Sequence, residues 1–545
     1  MFEELLEACK RLEEIKTPSW EISEDILKLI PDKTIVQALN EFLSNVIDKS
    51  DHVPMLLVAY ATLIKIGKNS KKQDGKDGND EDDLNDMLHG IADHLSSIIL
   101  PICSGASLDE DTTDYTQLRR KGEVGLLAIE QLINTPLKAP LQLRPSVLLR
   151  LTAFTDVADP WATAESSALA RKLLEAQLQI LDESQTKSLI VEEILTTFLR
   201  PLFSKSRSTA VTASGRKAEF VEQSRYDTVD RETPETKPWK YTHRYAITVF
   251  SWAVEHSDST LLQTHWPSFT PALLTLLDEP SHAGLKVRGL QIFRSFWSRC
   301  PPNLMHTTGL ASVFEDAVFP AVLLLPTLTP EDESIEILNA AYPALIEMSG
   351  LKYPNPGSDP GPGLSTNGKQ QITETQRRLL DKIIREGVMV GYHHAKEHVR
   401  LVGLFCDVLV CIINGMGILA VKHLKDFIPM VSEIMTDPFG TKHPPTLASA
   451  TQLLQTILRN CWPRIPHYCN EVVKILMLCW LNIEDEDSFS STSPIANDLK
   501  VELTKTADIL SAVMKASKVD FHERVGVLIE KEPQLSKLFR DINPE

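Results

Sequence analysis

Residues 265–280 read HWPSFTPALLTLLDEP, and residues 423–438 read HLKDFIPMVSEIMTDP. Laid on one another, they place Phe269 on Phe427 and Pro271 on Pro429, with Asp278 and Asp437 within one residue of correspondence. Each stretch leads into a second helical pattern that closes on a cysteine and a proline, RSFWSRCPP at Cys300 and QTILRNCWP at Cys461. A helix with an early proline, a turn bearing Asp and a second helix, in about 40 residues, is one hairpin of a repeated array. One hairpin cannot bury both of its faces, so hairpins stack.

The pattern extends outward from these copies. Apolar residues recur at spacings of three and four at Leu169, Leu173, Ala176 and Ile180, and again at Leu453, Leu454, Ile457 and Leu458, which is the helical period. Thr329-Pro330-Glu331-Asp332 offers a capping hydroxyl, a proline at the first helical position and acid in the first turn. Thr373 with Gln376 three residues later is a capping box. Hairpin dipeptides are scarce and glycine numbers only 23 of 545 residues, so strands find little support. The expected fold is all-α, a HEAT-like helical-repeat solenoid with several long disordered loops and room for about ten hairpins. Polar or Pro/Gly/Ser-rich stretches divide it into an N-terminal block at 1–204 with a loop at 68–86, a flexible linker at 205–236, a central block at 237–351, a second linker at 352–372 and a C-terminal block at 373–545 with a loop at 484–496.

Composition excludes several function classes. Lys and Arg number 56 against 74 Asp and Glu, a formal net charge of −18, which repels phosphate backbones and anionic lipid. No direct nucleic-acid partner is expected. The eight cysteines are sparse and set in apolar surroundings, which fits a reducing compartment and no disulfide framework. The opening MFEELLEACKRLEEIK alternates acidic and apolar residues as a helix does and lacks a signal-peptide pattern. Leu401 to Val421 has the length of a membrane span, but Asp407 would lie in hydrocarbon at a cost of about 2.5–3.5 kcal/mol. Asn414-Gly415 reads as a turn within it, so two buried helices are expected and no membrane association.

No motif carries chemistry. Gly363 to Lys369 has phosphate-loop spacing, but Gln370 follows where Ser or Thr should, and no apolar strand precedes it. Gly415-Met-Gly417-Ile-Leu-Ala420 matches a loose dinucleotide fingerprint without a βαβ context. His393, His394 and His398 contain an i, i+4 pair without the zinc-protease Glu, and the cysteines lack paired zinc spacing. The expectation is no enzyme, with no catalytic residue, cofactor or metal. The aromatic entry points are more informative: Pro238, Trp239 and Lys240, then Trp252, then His265 and Trp266, open or line successive helices. Tryptophan at such places either covers the core or anchors a partner, and these six residues are the candidate partner-binding set.

The order of motifs then becomes specific. Pro238-Trp239-Lys240, HWPSFTPALLTLLDEP, the KVRGL helix from Lys286, the Thr308-Gly309-Leu310 step, LPTLTPED from Leu325 and Ala341-Tyr342-Pro343 together resemble the Tel-two-interacting protein two family. The resemblance covers about 237–350 and continues more loosely from Thr373. It implies a non-enzymatic scaffold subunit of the TTT co-chaperone complex, partnered by Tel-two-like and Tti-one-like helical-repeat subunits. With the ninety-kilodalton heat-shock chaperone, that complex matures phosphatidylinositol-3-kinase-related kinases, which serve DNA-damage signalling, telomere maintenance and TOR signalling. The implied location is the cytoplasm, with the nucleus as a second compartment. Docking on the Tti-one-like subunit is expected of residues 237–545. Two rivals are a cargo or transport adaptor for basic proteins and a nucleotide enzyme using the Gly363 or Gly415 segments. Ser488, Ser490, Ser491 and Ser493 beside EDED are candidate phosphoacceptors.

Overall fold

The computed structural model describes residues 2–15, 20–30, 35–44, 52–70, 79–103, 114–136, 140–204, 233–279, 282–354, 372–487 and 494–539. Among the described residues every regular element is a helix, and no strand occurs. The chain is an all-α helical-repeat protein, as the 3.6-residue period predicts. Both copies of the repeat form their two helices, Ser259–Leu277 with Ala283–Arg299, and Leu424–Met435 with Pro444–Asn460. Phe269 and Phe427 are both fully buried. The early prolines Pro271 and Pro429 both lie inside the first helix of their pair.

Packing separates two compact units, Met1–Leu276 with Arg299–Leu310, and Leu277–Ser298 with Ala311–Glu545. The division does not follow the polar segments. The reason is visible in the first unit, where Phe203 stacks on Trp239 with ring centroids 5.1 Å apart and 12° between planes. Arg244 Nη1 also donates to the hydroxyl of Tyr115 at 2.9 Å. One core therefore forms from both sides of the 205–236 segment, of which 205–232 lie outside the described residues. The candidate linker residues 355–371 and the serines at 488–493 also lie outside them. Of the expected 68–86 and 484–496 loops, residues 68–70, 79–86, 484–487 and 494–496 are helical, and 71–78 and 488–493 lie outside the described residues. Helix Asn79–Ile99 includes the acidic run because Leu88, Ile91, Ala92 and Leu95 bury its later turns. Helix Ile465–Asp487 runs to its last acidic residues, where Glu484 pairs with Lys500 at 3.2 Å and Glu486 with Lys442 at 2.6 Å.

In the second unit, Glu331–Met348, Val399–Met416, Pro444–Asn460 and Pro494–Ala516 pack in sequence as one row, and Leu424–Met435 packs on Ile465–Asp487 in another. This two-row stacking is that of a HEAT-like α-solenoid. Two hydrogen bonds fix Val399–Met416 and Pro444–Asn460 of the first row in parallel register. Thr446 Oγ1 donates to the Val399 carbonyl at 2.7 Å near the helix starts, and Asn460 Nδ2 donates to Asn414 Oδ1 at 3.1 Å near the helix ends. The starts of these two helices therefore lie on one edge of the unit, and the Asp332–Arg400 pair at 2.6 Å brings the start of Glu331–Met348 to the same edge.

The Leu401–Val421 stretch becomes helix Val399–Met416 followed by a 3-10 turn, Gly417–His423. By length and composition it is the one helical run among the described residues apolar enough to cross a membrane. Within this unit, however, eleven residues of Val399–Met416 are buried, against the neighbouring helices of the row. The break comes at Gly417, with φ +55, and not at Asn414-Gly415. Gly415 stays helical because a Cβ there would lie 2.3 Å from Leu351 Cδ1; it serves close packing. The Thr373–Gln376 capping box forms in both directions, at 2.9 and 3.3 Å. Helix Glu331–Met348 starts one residue later than read, with Pro330 as the capping residue and three acids in its first turn.

Candidate partner-binding surface

The six residues singled out in the sequence do not form a surface. Pro238 opens the short helix Pro238–Tyr241 and is half-buried, and Trp239 and Lys240 are fully buried. Trp252 is buried and stacks on the His256 ring at 4.1 Å. Trp266 is buried and His265 half-buried. All lie in the first unit, where nine of eleven residues of helix Tyr245–Glu255 are buried. An indole surrounded by its own chain holds the core of this unit.

The histidine and cysteine groups are also dispersed. His393 and His394 meet edge-on at 5.6 Å, whereas His398 turns to Glu331, 3.0 Å from Nδ1 to Oε2. Among the described residues no group of three His, Cys, Asp or Glu is arranged to hold a metal. Six of the eight thiols are buried. Burial pushes the Cys9, Cys300, Cys461 and Cys479 thiols up to about 12, far from reactivity.

What the second unit does expose is a row of large apolar residues along the edge of helix starts. Leu328 is 82% exposed, Val399 46%, Phe439 77% and Val501 49%. Leu328 and Phe439 lie in turns ahead of Glu331–Met348 and Pro444–Asn460, Val399 opens its helix and Val501 is the eighth residue of Pro494–Ala516, and contacts join neighbouring members of the row. Asp332 pairs with Arg400 at 2.6 Å, Val399 meets Thr446 as above, and Gln455 Nε2 on Pro444–Asn460 donates to Glu502 Oε2 on Pro494–Ala516 at 3.0 Å. An open cavity of about 300 Å³ closes the row, lined by Pro444, Ala448, Asp498, Leu499, Val501, Glu502 and Lys505. Phe439 is presented by a turn in which Asp437 Oδ1 accepts the Phe439 amide at 2.9 Å. The ring projects from the solvent side of a locally fixed backbone.

The electrostatics of this edge are one-sided. Its cations are already held by carboxylates: Lys396 by Glu433 at 2.8 Å, Arg400 by Asp332, Lys442 by Glu486, Lys500 by Glu484, and Lys505 by Glu502 at 2.7 Å. Glu333, Glu397 and Asp498 are exposed and form no ion pair among the described residues. Hydrogen bonds from Lys396, Lys442 and Lys505 hold the Glu433, Glu486 and Glu502 carboxyls below their ordinary range, so the edge keeps its negative charge at neutral pH. Exposed apolar residues in series, rimmed by charge, are the anatomy of a protein-binding surface.

Residues 147–442, more than half of the chain, match the sequence model of the Tti2 family. The chain belongs to the Tti2 family. No curated protein matches it by sequence. Tti2 membership supports, in general terms, the role of a helical scaffold subunit of the TTT complex. Leu328, Val399 and Phe439 fall within the Tti2 match, whereas Val501 and the cavity at Pro444 lie beyond it.

The sequence contained a signal for part of this surface. Leu328 sits in the LPTLTPED stretch already noticed for its prolines and acids, and Phe439 is an aromatic inside an Asp-Pro-Phe-Gly turn, where no core position exists for it. Val399 and Val501 carried no such signal, because an exposed valine on an amphipathic helix looks like the edge of its buried stripe.

Proposed function

We propose that this Tti2-family chain is the third, non-enzymatic scaffold subunit of the TTT co-chaperone complex, held together with Tel-two-like and Tti-one-like helical-repeat subunits. In that assembly it supports, with the ninety-kilodalton heat-shock chaperone, maturation of the phosphatidylinositol-3-kinase-related kinases that serve DNA-damage, telomere and TOR signalling. The observation that carries the reading is the family match across residues 147–442. The stacked hairpins support it physically, since a helical-repeat edge binds another protein by shape over a long line and encloses no small molecule. The net charge of −18 supports action without direct contact to nucleic acid or anionic membrane. The proposed location is the cytoplasm, with the nucleus as a second compartment.

Affinity purification of the tagged full-length chain from its own cells, with mass spectrometry of stoichiometric partners, tests the proposal. Two large helical-repeat proteins at equal stoichiometry, with substoichiometric giant kinases and chaperone, are expected. Recovery of import receptors and basic cargo, or of the chain alone, overturns it.

A further inference from the structure

We propose that the Leu328–Val399–Phe439–Val501 edge docks one basic amphipathic helix of a partner protein, with an apolar side chain of that helix seated in the Pro444–Val501 cavity. The inference deepens the scaffold reading by stating what the docked segment must be, and it rests on that reading only in taking the partner to be a subunit of the same complex.

Shape argues for a helix. The four residues lie on four neighbouring helices of one row or in the turns ahead of them, and packed helices lie about 8–10 Å apart. The row therefore spans about 30 Å, the length of a helix of about 20 residues. A linear series of apolar contacts about 8–10 Å apart is met by an apolar stripe that recurs about every seven residues along one face of that helix. The Pro444–Val501 cavity, at about 300 Å³, has the size of a pocket for one large side chain.

Charge argues for a basic partner. Among the described residues, the lysines of this edge and Arg400 are each paired with a carboxylate. Glu333, Glu397 and Asp498 stand exposed beside Leu328, Val399 and Val501, without ion pairs among the described residues. An acidic segment laid here would meet uncompensated carboxylates along its whole length, whereas lysines and arginines flanking an apolar stripe would complete them. Scattered exposed apolar residues are ordinary; four in register, closed by a cavity and rimmed by unmatched acid, are a docking line.

The test uses the full-length chain in its own cells. The photoreactive analogue p-benzoylphenylalanine is placed at Phe439, at Leu328 and, as a control, at Trp462, which is exposed at the opposite ends of the same helices. After irradiation and purification, positions 439 and 328 are expected to cross-link to one segment of one partner, rich in Lys and Arg with apolar residues every three or four positions. Position 462 is expected to miss that segment. Cross-links to a second copy, to residues 205–232 of the same chain or to an acidic segment overturn the proposal. So does the absence of cross-links while the subunits still co-purify, an outcome that leaves the scaffold reading intact. Loss of every co-purifying subunit with a cross-link to a basic helix elsewhere sinks the scaffold reading and leaves the docking line standing. In a second measurement, the Leu328→Ser, Phe439→Ser double variant is expected to bind the cross-linked partner at least tenfold more weakly with unchanged melting temperature. Unchanged affinity overturns the proposal.

Discussion

Trp239 and Phe439 are both aromatic residues near helix entries, yet removing them is expected to have opposite consequences. Trp239 is fully buried against Phe203, so Trp239→Ala leaves a cavity and costs about 3–5 kcal/mol. That is read as a fall in the denaturation midpoint, with partner affinity per folded molecule unchanged; weakened binding at full stability would support the anchor reading. Phe439→Ser, at an exposed turn, should change stability by no more than about 0.5 kcal/mol. His423 adds a pH dependence. Its buried ring places Nε2 2.9 Å from Asp381 Oδ1, while Nδ1 has no hydrogen-bond partner. Burial pushes its pKa below the ordinary value, opposed by Asp381 and reinforced by Lys422 and Arg385. The unfolded chain therefore binds this proton more readily than the folded one, and stability is lost as pH falls below the unfolded value of about 6.5. Urea midpoints at pH 7.5 and pH 5 should show a smaller acid loss in His423→Gln than in the parent; an equal loss would remove His423 from the account.

At the scale of the element, the apolar period predicted the helices, and their interruptions were harder to place. The 401–421 stretch illustrates why. Asn-Gly is a turn dipeptide by local preference, but Leu351 needs the missing side chain of Gly415, and packing keeps the helix running to Met416. The chain breaks at Gly417, whose φ of +55 and ψ of −130 is a region only glycine enters without strain. Gly417→Ala is expected to lower stability by about 1–3 kcal/mol although nothing lies near enough to clash with the added methyl. A thermal melt of that variant, unchanged within error, would refute the strain argument. Polar composition likewise led to loops being read across 79–86 and 484–487, where buried leucines downstream and ion pairs to Lys442 and Lys500 keep the backbone helical.

For the whole molecule, the two units bear on how it can be cut. Residues 237–276 belong to the first unit, and Trp239, Arg244 and Thr248 depend on Phe203, Tyr115 and Asp159. A fragment starting at Lys237 strips these partners away. It should aggregate or melt well below the full chain on size-exclusion chromatography and thermal unfolding. A monomeric fragment with the parental melting temperature would show that the cores are independent of those contacts. The thiols give a global check on burial. In the native chain only Cys103 and Cys411, which are half-buried, should react with an aromatic disulfide reagent, and all eight should react in denaturant.

Sequence alone determined the helical class, the repeat unit, the absence of a charge balance suited to nucleic acid, and the family, because periodicity, capping and motif order are local properties of the chain. Tertiary structure decided which aromatic residues are core and which are surface. Tryptophans at helix entries and a phenylalanine in a turn are equally apolar along the chain; only the neighbours that fold against them decide their exposure. It also decided that Leu328, Val399, Phe439 and Val501, spread over 174 positions, share one edge. That follows from parallel stacking of alternate helices, fixed by contacts such as Thr446 to Val399 and Asn460 to Asn414, and no spacing in the sequence encodes it.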